Sequence, residues 1–148
     1  LCNSLRKQYN FDAISLMPTN LYGPGDNYHP EESHVLAALI RRFCIAKLEN
    51  KEVVTCWGSG NVYREFLHVD DLARACLHVL QNWHPDKNNA PKFSNGIPLS
   101  YLNVGTGKDL SIKELALKIA KFVDYHGEIN SALYSLPLTR YYYCVFCI

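Results

Sequence analysis

His34, Arg42, Trp57 and Arg64 are the side chains whose types and spacing could handle a charged, reactive small molecule. An imidazole exchanges protons near neutral pH, so a histidine beside a cleft can serve as a proton donor. Guanidinium groups grip phosphate oxygens through paired hydrogen bonds, and an indole face can stack on a base or a sugar. His34 closes the segment 18–34, PTNLYGPGDNYHPEESH, at the point where an apolar helical pattern begins. Arg42 lies eight residues further on, which is about 12 Å along a helix axis. That separation would place one group near a reacting sugar and the other near its diphosphate. Each residue taken alone also has a plainer reading, as a helix-end histidine, a surface ion pair or a packing residue, and composition by itself favours the plainer one.

Two glycine-rich turns raise the question of a phosphate cradle. Gly105-Thr106-Gly107 follows an apolar run and precedes a helical pattern, the setting in which backbone amides can hold phosphate. The third glycine of GxGxxG is missing, since Leu110 stands there. A tight strand-to-helix turn is therefore the favoured reading, and Gly58-Ser59-Gly60 reads as a plain turn as well. The six histidines and six cysteines form no HExxH and no paired CxxC arrangement, so no metal is expected.

These residues need a framework of alternating strands and helices. Residues 1–8 read as the last turns of a helix with no start signal, as if the chain were cut from something longer. Residues 13–17 form a short buried strand stopped by Pro18. Asn20 and Thr19 then fall at the carboxyl end of that strand, where open α/β sheets bind ligands. From Val35 the apolar positions 35, 39, 43 and 46 mark a helix face. Strands are expected at 53–57, 65–69 and 101–104. Asp70 and Asp71 favour a helix start, and that helix should bury Leu72, Cys76, Val79, Leu80 and Trp83. Ser111 and Glu114 give a capping box for a helix with apolar residues at 112, 115, 116, 119, 122 and 123. The fold class is α/β. From Asn130 the pattern breaks into an apolar, aromatic tail of neither period.

The bulk properties exclude several partners. The 148 residues suit one domain with a sizeable core, and the net charge of +1 comes from interspersed residues. No basic stripe of the kind that binds nucleic acid is present. No run approaches the roughly 18 apolar residues that span a bilayer, and the start of the sequence has no secretory h-region. Three cysteines sit inside apolar patterns, which suits reduced thiols and a cytoplasmic protein.

Taken in order and at their spacings, PTNLYGPGDNYHPEESHV, IRRF, WGSGNVYREFLHVDDLARA, LNVGTG and SIKELA resemble the GDP-L-fucose synthase family. These are NADP-dependent enzymes of the extended short-chain dehydrogenase/reductase group, within the NAD-dependent epimerases and dehydratases. The likeness covers residues 1–129, leaving 130–148 as an unmatched tail. REFLHVDDLA and NVGTG are shared widely among nucleotide-sugar epimerases, whereas PTNLYGPGDN followed by SHV and RRF is more specific.

The resemblance implies the C-terminal part of a Rossmann-type doubly wound fold plus a small substrate-binding region. It implies that Pro18, Thr19, Asn20, Leu21 and His34 line NADP(H), and that His34 is the proton donor of epimerisation. It assigns Arg42, Trp57 and Arg64 to a GDP-sugar, and implies a homodimer for the full-length protein. The family's GxxGxxG turn and YxxxK pair are absent from these residues, so little turnover is expected of the chain alone. The alternatives are another nucleotide-sugar epimerase or dehydratase, or a non-catalytic binding or association product.

Overall fold

The computed structural model describes residues 1–132. Helices and strands alternate as expected for α/β: α1 (Cys2–Tyr9), β1 (Ser15–Pro18), β2 (Asn20–Tyr22), α2 (Val35–Leu48), β3 (Val53–Trp57), β4 (Tyr63–His68), α3 (Val69–Asn82), β5 (Tyr101–Val104), β6 (Asp109–Ser111), α4 (Ile112–Phe122) and β7 (Glu128–Ala132). They fall into two compact units. The first comprises residues 1–38 and 63–111, the second residues 39–62 and 112 onward.

In the first unit β1 pairs parallel with β5, from Ser15↔Tyr101 to Pro18↔Val104. Proline lacks the N–H that a central ladder position needs, so it is tolerated here at the strand's end. β2 pairs parallel with β4, and β4 pairs antiparallel with β6, giving the order β2-β4-β6. β2 lies inside the segment that composition reads as loop. Three residues carry no local period, and the strand exists only because β4 supplies its ladder.

α3 follows β4 without a break. Its cap is His68, whose Nδ1 accepts the Asp70 N–H at 3.2 Å. Asp70 and Asp71 occupy the first turn, where the helix dipole favours carboxylates. Leu80, expected inside, is 82% exposed, while Leu72, Cys76, Val79 and Trp83 are half-buried. The apolar stripe of α3 is thus wider than the surface that covers it among the described residues.

In the second unit β3 pairs parallel with β7 over five positions, from Val53↔Glu128 to Trp57↔Ala132. The alternation of β3 buries Val54 and Cys56 and exposes its odd-numbered residues. α2 buries Leu39, Phe43 and Ala46, and α4 buries Leu115, Ala116, Ile119 and Ala120. Full burial of a leucine or phenylalanine side chain is worth about 1.5–3 kcal/mol, and Phe43, at 0% exposure, packs its ring 5.5 Å from that of Tyr125. Phe122, one of the apolar positions read for α4, is 91% exposed.

The start of α4 explains one glycine. Its first amides, Ile112 and Lys113, donate to the carbonyls of Val62 and Gly60 at 3.0 and 2.9 Å, which satisfies donors that a helix start leaves open. Gly60 holds φ at 73°, and a Cβ there would lie 3.1 Å from the Cβ of Lys113. β7 crosses the point where the sequence pattern breaks, and the rest of the tail expected from Asn130, residues 133–148, lies outside the described residues.

Candidate functional site

The segment 18–21 leaves β1 and enters β2 with its backbone held on both sides. The Thr19 N–H donates to the Val104 carbonyl at 3.1 Å, extending the β1–β5 ladder by one bond. The Asn20 side-chain amide donates to the Glu65 main-chain oxygen at 2.8 Å. Leu21 is half-buried and Pro18 exposed. The Thr19 hydroxyl is buried without a hydrogen-bond partner among the described residues. An unsatisfied buried hydroxyl is costly, so a polar ligand group at this strand end would relieve it. Those residues therefore fit a polar cofactor.

Glu65 was not singled out from the sequence, yet it organises this end of the unit. Its carboxylate accepts the Gly107 N–H at 2.5 Å and the Thr106 hydroxyl at 3.0 Å. Hydrogen bonds from the backbone of this turn, Gly107 first, hold the Glu65 carboxyl below its ordinary value. A Cβ on Gly105 would collide with the same carboxylate. The turn is thus an anion-binding concavity of backbone amides whose anion is supplied by the chain itself. Its incomplete glycine pattern favours a structural turn, and in the structure its donors go to the Glu65 carboxylate.

Arg42 and Trp57 meet in the second unit. The Arg42 guanidinium carbon lies 4.7 Å from the Trp57 ring centroid, and Nη1 donates to the Thr55 carbonyl at 2.7 Å. A cation over an indole is worth about 0.5–1 kcal/mol at an exposed site, and Trp57 is 63% exposed. The stack and the bond to Thr55 hold the guanidinium beside a largely exposed indole. Burial pushes the neighbouring Cys56 thiol up, an effect that the Arg42 charge partly opposes. Next to this strand end, Cys56, Gly58, Lys113, Ala116, Ile129 and neighbouring residues line a cavity of about 160 Å³.

His34 and Arg64 belong to the first unit. His34 is exposed just ahead of α2, and its carbonyl accepts the Ala38 N–H at 2.9 Å. The hydroxyl of Ser33, beside it, is buried and unpartnered among the described residues. Arg64 is exposed on β4 and donates to the carbonyl of Tyr63 at 2.8 Å. The structure therefore brings Arg42 to Trp57 and ties Asn20 to Glu65. Nothing in the spacing marks Ser33 or Glu65. For Glu65 the available signal was its place beside Arg64, in a run read for a strand, for the family motif REFLHVDDLA and for its arginine. Among the described residues no cluster of three metal-ligating side chains occurs, and no helix is long and apolar enough to cross a membrane.

A profile of the NAD dependent epimerase/dehydratase family matches residues 1–91. The chain belongs to that family. Within it, the GDP-L-fucose synthase of Escherichia coli (strain K12) is 51% identical over 131 residues, which are 87% of this chain and 39% of the relative. A GDP-mannoheptose C4 reductase from Campylobacter jejuni, solved with NADP bound, superposes with a TM-score of 0.72 at 33% identity, over 89% of this chain and 46% of that one. A GDP-L-fucose synthetase from Naegleria fowleri bound to NADP gives 0.62 at 25% identity, over 81% and 33%. The chain spans about two fifths of the length of the E. coli relative. Its parallel β-strands and alternating helices are those of the family's Rossmann-type fold.

Proposed function

We propose that this chain is part of an NADP-dependent GDP-4-dehydro-6-deoxy-D-mannose 3,5-epimerase-4-reductase, an enzyme that makes GDP-L-fucose. The observation that carries the reading is the 51% identity to the E. coli GDP-L-fucose synthase across almost the whole chain. The pairing of Arg42 with Trp57 supports it, because a fixed guanidinium beside an open indole suits a nucleotide diphosphate. In this reading Arg42, Trp57 and Arg64 hold the GDP-sugar, with Arg42 anchored by its bond to Thr55. Pro18, Thr19, Asn20 and Leu21, with His34, line the NADP(H) site, where the orphaned Thr19 hydroxyl gains a partner.

Epimerisation at C3 and C5 needs a proton to leave one face beside the ketone and return on the other. His34 gives that proton back. When bound, NADPH supplies the hydride that reduces C4. The full-length enzyme is a cytoplasmic homodimer in this reading, and residues 1–129 belong to one epimerase/dehydratase domain.

A second reading, a GDP-sugar C4 reductase without epimerisation, is favoured by the higher TM-score to the C. jejuni reductase. One experiment separates them. Full-length protein is given the keto-sugar and NADPH in deuterium oxide, and deuterium at C3 and C5 is read by NMR while the cofactor is followed by absorbance. Incorporation at both carbons with NADPH oxidation is expected, and His34→Ala should slow incorporation by at least about 100-fold while weakening NADPH binding far less. Oxidation of NADPH without deuterium at either carbon would leave the C4-reductase reading standing. Unchanged exchange in His34→Ala would remove His34 from its role.

A further inference from the structure

We infer that Glu65 is a positioning residue that holds the cofactor-lining segment 18–21 in register with the turn at 105–107. The inference rests on the reading that this segment lines NADP(H), and it adds a residue on a different strand. Four links close a ring. β1 pairs with β5 up to Pro18↔Val104, and the Thr19 N–H adds a bond to the Val104 carbonyl at 3.1 Å. Val104 runs directly into Gly105-Thr106-Gly107. That turn donates the Gly107 N–H, at 2.5 Å, and the Thr106 hydroxyl, at 3.0 Å, to the Glu65 carboxylate. From the other side of the same residue, the Glu65 carbonyl accepts the Asn20 side-chain amide at 2.8 Å.

Without the Glu65 side-chain link the turn and the segment are held only through the β1–β5 and β2–β4 ladders. The backbone links are fixed by strand pairing, and Asn20 already lies in the cofactor segment. The Glu65 side chain is the one link made by a residue outside both segments. The Gly107 and Thr106 donors both meet one oxygen, Oε1. A carboxylate makes these bonds charge-assisted and about twice as strong as neutral ones, whereas glutamine would offer a neutral carbonyl oxygen and an N–H₂ donor in place of the second oxygen. Gly105 belongs to the same device, because a Cβ there would occupy the space of the carboxylate. A displaced segment presents Thr19 and Asn20 to the cofactor in the wrong place, and a misplacement of about 1 Å can cost on the order of a hundredfold in a step that depends on that geometry.

The test uses the full-length enzyme and calorimetric titration of wild type and Glu65→Gln with NADPH and, separately, with GDP. The expected result is a Kd for NADPH raised about tenfold, with the Kd for GDP moved by less than about twofold. Glu65→Asp keeps the charge but is one methylene too short to reach the turn. It should weaken NADPH in the same direction, and it stands in if Glu65→Gln does not fold. NADPH affinity within about twofold of wild type in the folded variant would overturn the inference. Parallel loss of NADPH and GDP affinity with a lowered melting temperature would overturn it too, since that is what general loosening produces. Wild type that binds GDP but no NADPH would instead sink the cofactor reading, and the role of Glu65 with it.

Discussion

At the scale of single residues, Glu65 makes a prediction that does not depend on catalysis. The turn's hydrogen bonds, Gly107 first, hold its carboxyl below the ordinary 4.5 in the folded chain. A folded carboxylate with a depressed pKa stabilises fully above the unfolded value. That contribution is lost as pH falls through the folded one. Glutamine at the position does not titrate. The stability gap between wild type and Glu65→Gln should therefore be widest above the ordinary carboxylate range and close on acidification, in urea denaturation between about pH 7 and pH 3. Asp124 is likewise held low, chiefly by its hydrogen bond from Lys47, but it titrates in both proteins and cancels from the difference. A gap that stays constant across the range would show that the carboxylate's hydrogen bonds contribute nothing. The same residue shows where reading a sequence stops. Arg64 advertises its chemistry by type, while Glu65 acts through a turn forty residues away and looks from the sequence like half of a surface ion pair.

At the scale of elements, the helices were legible to the extent that one face met a neighbour. The period of α2 placed Phe43 inside, and it is 0% exposed. The apolar positions of α4 include Phe122, yet it is 91% exposed, because the inner face of that helix ends at Ile119 and Ala120. Phe43→Ala should therefore cost about 3–5 kcal/mol, and Phe122→Ala should stay within about 0.5 kcal/mol of the parent, as measured by chemical denaturation. Equal costs would mean that the burial assigned to the two helices is wrong. Strands divide the same way. β3 appeared at its observed bounds because five apolar-rich residues between turns carry a local signal. β2, β6 and β7 did not, because their ladders come from β4 and β3, whose partners lie far off in sequence: Asn20↔Phe66, Glu65↔Asp109 and Val53↔Glu128.

At the scale of the whole molecule, the candidate residues fall in both units: segment 18–21, proposed to line the cofactor, belongs to one with His34 and Arg64, and Arg42 with Trp57 to the other. Motif order made the family legible in the sequence, since PTNLYGPGDN, REFLHVDDLA and NVGTG are strings whose spacing survives any folding detail. The same strings bound what these residues can do. Reduction at C4 requires a hydride donor held by its pyrophosphate and an acid beside the carbonyl oxygen. In the family that hold comes from a GxxGxxG turn and that acid from a YxxxK pair. Neither pattern occurs among the 148 residues, and the Gly105-Thr106-Gly107 turn already holds the Glu65 carboxylate. Loss of a positioned general acid alone slows a reaction by about 10²–10⁴-fold, and loss of cofactor positioning multiplies that deficit. Purified as given, the chain should consume NADPH in the presence of GDP-4-dehydro-6-deoxy-D-mannose no faster than the mixture without protein. The full-length enzyme, assayed beside it, should turn over. Measurable NADPH consumption by the 148-residue chain would mean that its own side chains supply both the hold and the acid, and the division of labour argued here would fall.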